Sequence, residues 1–210
     1  MKWPKLIELL LIFVGKNIKT LIINFYPSKK EAKISFYIEL IKNFSNYRVI
    51  PENEFSLSLI KNSNALILSG SPRMLSRGEY KEEFLEILRN ISLPILGICY
   101  GHQLLAKAFG AQIGRYPEFI KKEEEIYILD KKDIFYNLPD KIVVKEFHQE
   151  YVIKNSLENT NLEVIAFSQT CEVEAIRHKK RKIFGVQFHL ERSGDIGYKI
   201  MKNFYEKVVF

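Results

Sequence analysis

The sequence predicts an α/β fold: a doubly wound, mostly parallel sheet with antiparallel additions in its C-terminal half. Three observations predict it. Short apolar runs of buried-strand length, at residues 19–25, 65–68 and 95–98, alternate with helix-periodic segments through the first half. Two of these runs end in the chain's most chemically suggestive turns, where open α/β sheets bind ligands beyond the strand carboxyl ends. After Gly110 the chain breaks into closely spaced strand-like pieces with no long crossover segment, which suits antiparallel neighbours.

At 210 residues the chain is long enough for one domain with a large core, and 47% hydrophobic with 27% charged residues is ordinary for a soluble globular protein. Residues 1–17 are expected to be an N-terminal extension and residues 18–210 a single domain. The apolar stretch at residues 6–14 contains only Glu8 as a charge, with Lys2 and Lys5 before it and Lys16 after it. It is too short to span a bilayer and lacks a clear small-residue cleavage site, which favours an extra amphipathic helix.

The first core strand is Thr20-Leu21-Ile22-Ile23-Asn24-Phe25, broken by Tyr26-Pro27-Ser28. Ser28 can cap a helix over residues 30–44, where Ile34, Tyr37, Ile38 and Ile41 recur at helical spacing. A strand at 47–50, a small helix at 56–61, a strand at 65–68 and a helix at 80–90 follow. The strand at 95–98 runs into a helix at 103–109. Strand-like pieces then appear at 111–116, 126–129, 142–146, 151–153, 162–168, 173–178 and 183–188. A last helix at 196–208 puts Ile200, Phe204 and Val208 on one stripe.

Gly97-Ile98-Cys99-Tyr100-Gly101 has the glycine–x–nucleophile–x–glycine spacing of a sharp strand-to-helix elbow. Such a turn projects Cys99 out of the sheet at a helix N-terminus, where N–H groups and the macrodipole stabilise an anion. A lone cysteine here would be read as a small buried hydrophobe. The segment Gly185-Val186-Gln187-Phe188-His189-Leu190-Glu191 supplies what a cysteine nucleophile needs: a base, His189, and a carboxylate, Glu191, to fix its tautomer. Cys171 is expected to be structural, and two distant cysteines suit a reducing cytoplasm.

These motifs resemble the class I, triad-type glutamine amidotransferases. Gly97-Ile98-Cys99-Tyr100-Gly101-His102-Gln103 is similar to their nucleophile motif, and the His189–Glu191 segment to their histidine–glutamate motif. Ile67-Leu68-Ser69-Gly70-Ser71-Pro72 resembles their oxyanion loop. Within the family the likeness is to free-standing glutaminase subunits of GMP synthetases. It implies a flavodoxin-like fold and a Cys99–His189–Glu191 triad that hydrolyses glutamine to glutamate and ammonia. It also implies an oxyanion hole from Gly70, Ser71 and Tyr100, and glutamine contacts from Gln103, Gln149 and Glu150, the last two in a substrate loop following a strand. No metal or organic cofactor is expected. The implied partner is a separate synthetase, an ATP-pyrophosphatase that aminates XMP in purine biosynthesis.

The sequence departs from the family's pattern in places. Leu190 stands where proline is usual, Ser71 and Gln149 where glycine is usual, and the first strand ends Asn24-Phe25-Tyr26-Pro27-Ser28-Lys29 without the usual aspartate. The net charge of +7 is spread among acidic residues, and the dense cluster His178-Lys179-Lys180-Arg181-Lys182 reads as a solvated hairpin turn rather than a nucleic-acid site. No membrane association is expected. Two alternatives stay open on the residues alone: a γ-glutamyl hydrolase on the same scaffold, and a non-catalytic amidotransferase serving as a binding or regulatory subunit.

Overall fold

The structure, a computed structural model, describes residues 18–28 and 33–210. The expected N-terminal extension lies outside the described residues, as does the start of the helix expected from residue 30. Nine strands form one sheet: β1 (Lys19–Asn24), β2 (Asn46–Pro51), β3 (Ala65–Leu68), β4 (Ile95–Ile98), β5 (Ile113–Ile128), β6 (Lys141–Val152), β7 (Leu162–Ser168), β8 (Ala175–His178) and β9 (Ile183–Val186). Their order is β2-β1-β3-β4-β9-β8-β7-β5-β6. The first five strands of that order pair in parallel. The remaining pairings, from β9–β8 to β5–β6, are antiparallel.

The helices are α1 (Ile34–Ile41), α2 (Leu57–Lys61), α3 (Glu82–Asn90), α4 (Tyr100–Ala108) and α5 (Gly194–Asn203), the last running into a π-helical turn, Phe204–Val209. Both faces of the parallel strands are buried, so β1, β3, β4 and β9 read as continuous apolar runs rather than alternating ones. One core layer joins Tyr37 and Ile41 of α1 with Ile200 and Phe204 of the C-terminal helix. The other joins Phe84 and Leu88 of α3 with Leu104 and Leu105 of α4.

The second half differs from the sequence expectation in continuity. The pieces at 111–116 and 126–129 are the two ends of one 16-residue strand, β5, with an irregularity between Arg115 and Ile120. Those at 142–146 and 151–153 are likewise joined, in β6, through residues 147–150, where the sequence leads one to expect a substrate loop. The charged run Lys121-Lys122-Glu123-Glu124-Glu125 hides β5 from a hydropathy reading. It pairs instead across the ribbon, Glu123 with Lys145 and Glu125 with Lys141, while Ile142 and Val144 of β6 supply the buried face. The basic cluster at 178–182 does form the turn between β8 and β9.

The C-terminal segment is fixed to the first strand by buried hydroxyls. Tyr205 Oη lies 2.8 Å from Thr20 Oγ1 and 3.2 Å from Ser45 Oγ, and Phe44 stacks on the Tyr205 ring. Removing the Tyr205 hydroxyl leaves two buried hydroxyls short of a partner. Tyr205→Phe is therefore expected to lower unfolding free energy by about 1–2 kcal/mol in denaturant titration. Tyr47→Phe, at an exposed position, should stay within about 0.5 kcal/mol.

Candidate active site

β4 is buried between β3 and β9, and its carboxyl end delivers Cys99. The Cys99 N–H donates to the Val186 carbonyl at 2.8 Å, and the Cys99 carbonyl accepts from Gln103 N–H at 3.0 Å, so the residue closes the strand and opens α4. Its backbone has φ +53° and ψ −106°, a region that costs a non-glycine residue on the order of 1–3 kcal/mol. The flanking glycines permit the turn. A Cβ on Gly97 would stand 2.5 Å from the Gly101 carbonyl oxygen, and one on Gly101 would strike the Leu68 carbonyl of β3. Cys99 is 4% exposed.

His189 follows β9. Its N–H donates to the Lys145 carbonyl of β6 at 2.9 Å, and the Phe147 ring meets its imidazole edge-on at 5.5 Å. The turn Leu190–Arg192 brings Glu191 back, so that Oε1 lies 2.5 Å from His189 Nδ1. A carboxylate there accepts the Nδ1–H hydrogen bond and leaves Nε2 as the free nitrogen. Nε2 is buried without a hydrogen-bond partner among the described residues. Burial alone would lower the His189 pKa, but the Glu191 carboxylate and the Cys99 thiolate outweigh it and hold the imidazole well above its ordinary value. The Cys99 sulfur is within reach of the Phe147 carbonyl at 3.8 Å and of Gln187 Nε2 at 3.9 Å.

The loop after β3 faces this pair. Gly70 donates its N–H to Tyr37 Oη at 2.9 Å, so that group is already committed. Neither the Ser71 N–H nor the Tyr100 N–H finds an acceptor among the described residues. Ser71 is not one of the residues with positive φ, so serine replaces glycine here without backbone strain. Its hydroxyl fixes the loop, donating to the Phe25 carbonyl at 2.9 Å and accepting from Arg73 N–H at 3.1 Å.

These groups open on a small cleft of about 50 Å³ lined by Ser71, Arg73, Cys99, Gln103, Phe119 and His148, among others. Arg73 is the one lysine or arginine lining it among the described residues, and it pairs with the buried Glu52 at 2.7 Å. Gln103 donates both amide hydrogens, to the Glu150 carbonyl at 2.7 Å and to Gln187 Oε1 at 3.0 Å. Gln149 and Glu150 stand differently from a pair of open ligand-binding side chains. The Glu150 carboxylate accepts from Leu75 and Ser76 N–H, at 2.7 and 2.9 Å. The Gln149 amide donates to the Tyr116 and Pro117 carbonyls, at 3.2 and 3.1 Å. Both are tied to walls of the cleft because β6 continues as a strand through them.

The sequence alone does not single out Tyr37, Arg73, Phe147 or Gln187 as site residues. Phe147 and Gln187 lie inside segments that the resemblance picks out, without being marked there themselves. The others reach the site through tertiary packing, which leaves no local signal. Among the described residues no group of three or more His, Cys, Asp or Glu is arranged to hold a metal ion, and no helix is long and apolar enough to cross a membrane.

A family model described as "Glutamine amidotransferase class-I" matches residues 21–208. The chain belongs to the class I glutamine amidotransferases. It is 38% identical over 167 residues to a subunit of the glutamine-hydrolysing GMP synthase of Methanococcus aeolicus, covering 79% of this chain and 81% of that protein. It is 40% identical over 160 residues to the like-named subunit of Pyrococcus abyssi, covering 75% and 82%. Among solved structures, a protein from Thermoplasma acidophilum described as a putative GMP synthase subunit superposes with a TM-score of 0.76 at 26% identity, covering 90% of this chain and 92% of that one. A glutamine amidotransferase of Thermotoga maritima superposes at 0.68 and 19% identity, covering 89% of this chain and 81% of that one, a likeness of fold.

The His189–Glu191 contact has a measurable signature in this amidotransferase. With the folded His189 pKa above the unfolded one, the attraction stabilises the native state fully below about pH 6.5 and fades as pH rises through the folded value. Glu191→Gln should drop the His189 titration midpoint in NMR. It should also cost about 3 kcal/mol of stability near pH 6, as breaking a buried pair does.

Proposed function

We propose that this chain is the glutaminase subunit of a two-part GMP-forming synthetase, and that Cys99, His189 and Glu191 are its catalytic triad. The supporting observation is the meeting of a strained cysteine elbow with a buried imidazole whose Nδ1 is held by Glu191 and whose Nε2 is free. His189 Nε2 takes the Cys99 proton, and the sulfur attacks the side-chain amide carbon of glutamine. The tetrahedral oxyanion is held by the N–H groups of Tyr100 and Ser71. Gly70 contributes by closeness, since a Cβ there would stand 3.2 Å from His189 Cε1. The imidazolium gives its proton to the departing nitrogen, ammonia leaves, and a γ-glutamyl thioester remains. Water, deprotonated by Nε2, then releases glutamate.

Gln103 faces the amino-acid end of glutamine, while Gln149 and Glu150 act by shaping the cleft that receives it. The partner we infer is a separate ATP-pyrophosphatase chain that aminates XMP, by analogy with relatives named as GMP synthase subunits. Residues 18–210 serve as the single amidotransferase domain and residues 1–17 as an extension of it. Two free, buried cysteines fit a cytoplasmic setting.

The test is glutamate release from glutamine, by the chain alone and with its synthetase partner, beside stoichiometric labelling by the glutamine analogue diazo-oxo-norleucine. Label on Cys99, abolished in Cys99→Ala, is expected. Absence of label in the wild type under all conditions would favour a non-catalytic binding protein, and a preference for longer γ-glutamyl peptides would favour a hydrolase. A sharper arm isolates the oxyanion donor. Ser71→Pro removes one N–H and should cost about 3 kcal/mol of transition-state stabilisation, roughly a hundredfold in kcat, whereas Ser71→Ala keeps the donor and most of the rate.

A further inference from the structure

The inward face of β6 carries three consecutive polar residues, Glu146, His148 and Glu150, at 1%, 4% and 3% exposure. Glu150 is satisfied by backbone N–H groups. Glu146 is not. It meets Glu174, which is fully buried and fixed between strands by two backbone bonds, its N–H to the Ala166 carbonyl and its carbonyl to Gln187 N–H. The four oxygens of these two carboxyl groups have no satisfied hydrogen bond to any donor among the described residues.

The surroundings offer little positive charge. From β5, Lys122 is half exposed and already paired with Glu124, which adds a further negative charge. From β7 and the turn after it come the Ser168 hydroxyl, beside Glu174, and the Cys171 thiol, which burial pushes up. Tyr116 of β5 faces Cys171 and Glu174, and burial pushes its phenol up. His189 acts on Glu146 as a positive charge that opposes the effect of burial. On β6 itself, His148 Nε2 is 3.2 Å from Glu146 Oε2, and His148 Nδ1 is 2.8 Å from the Glu150 carbonyl.

A carbonyl only accepts, so His148 Nδ1 carries hydrogen and donates it. Burial holds the ring pKa below its ordinary value, which leaves Nε2 a bare lone pair. The Glu146 carboxyl lies 3.2 Å from that nitrogen and can hydrogen-bond to it only as an acid. Two adjacent buried carboxylates, with His189 and the half-exposed Lys122 as the positive charges acting on Glu146, still repel each other in a site where burial outweighs those attractions. Burial accordingly raises Glu146 to about 7 and Glu174 well above the carboxylate range.

We propose that Glu146 and Glu174 share a buried proton beside His148 Nε2, and that the pair are positioning residues for His189 and Cys99. The link is short. Lys145, just before Glu146, accepts the His189 N–H, while Phe147, just after it, packs on the imidazole and turns its carbonyl toward the Cys99 sulfur. Losing the proton places two like charges in the dry layer behind these contacts. β6 is then pushed from the sheet, and the nucleophile–base geometry loosens. The positioning role rests on the glutaminase reading; the shared proton does not.

Glu146→Gln and Glu174→Gln each keep a donor but leave the other buried carboxyl to titrate, so the stability arm compares wild type with the double variant Glu146→Gln/Glu174→Gln and the labelling arm compares it with the single variants. The first arm is stability against pH. Between about pH 5 and 7 the native wild type holds a proton that the unfolded chain has released, so its folding constant should fall about tenfold per pH unit relative to the double variant. A slope in the double variant parallel to that of wild type would overturn the shared proton. The second arm is the rate of diazo-oxo-norleucine labelling at Cys99. Glu146→Gln should match wild type within about twofold near pH 6 and exceed it at least about fivefold near pH 8.5. A wild-type-to-variant ratio that stays constant with pH, for both variants, would overturn the positioning role. No labelling of the wild type at any pH would remove the glutaminase reading and that role with it, while the stability slopes still decide the proton.

Discussion

The site depends on a backbone conformation that an L-residue resists. Cys99 sits at φ +53° because the chain must leave the end of β4 and enter α4 with no intervening loop. Nothing local favours that angle. It is imposed by the Cys99 N–H bond to Val186, by the carbonyl bond to Gln103, and by side-chain-free positions at 97 and 101 that let α4 approach β3. The strain is repaid by a dense apolar layer in which Leu104 and Leu105 are fully buried. The same elbow fixes the Tyr100 N–H at the start of α4, and His189 is brought to Cys99 by the neighbouring strand, β9.

Buried carboxyl groups near this elbow have three different fates, each decided by what donors they face. Glu191 faces an imidazole nitrogen and forms an ion pair. Glu150 faces two backbone N–H groups at the start of a short helical turn, and so organises the loop that follows β3. Glu146 and Glu174 face each other and a neutral ring nitrogen, which leaves protonation as the way to balance the charge. Sequence cannot separate these cases, since each is a glutamate beside apolar residues in a strand-rich region. Donor supply is a property of the fold.

Much of the parallel half was legible because its signals are local and physical. The strands at 65–68 and 95–98 are apolar on both faces, and the elbow glycines are required by contacts that any such turn would make. The antiparallel half was legible in its ends only. Apolar pieces at 111–116 and 126–129 are visible, but the intervening Lys121–Glu125 run has the composition of a solvated face and joins the sheet through cross-strand pairing with β6. For the same reason residues 147–150 read as a loop, although alternation of buried and exposed positions continues through them. Gln149 and Glu150 could be placed near the cleft, but not in their wall-anchoring contacts, because their partners lie 32 to 75 residues away.

The departures from the family's usual residues are compatible with the chemistry for reasons visible in the packing. Proline between the histidine and glutamate would stiffen the turn by fixing φ. Leu190 fixes it by burial: its side chain is 1% exposed in the core layer shared with Ile200 and Phe204. The turn is closed from outside by Ser193, which donates its hydroxyl to the His189 carbonyl and accepts Lys145 N–H, and by α5, whose Gly197 lies against the Leu190 carbonyl where a Cβ would not fit. Rigidity lost from the backbone is supplied by the core and the C-terminal helix. That makes the orientation of Glu191 toward His189 a tertiary property of this chain, tied through α5 and Tyr205 to the first strand of the sheet.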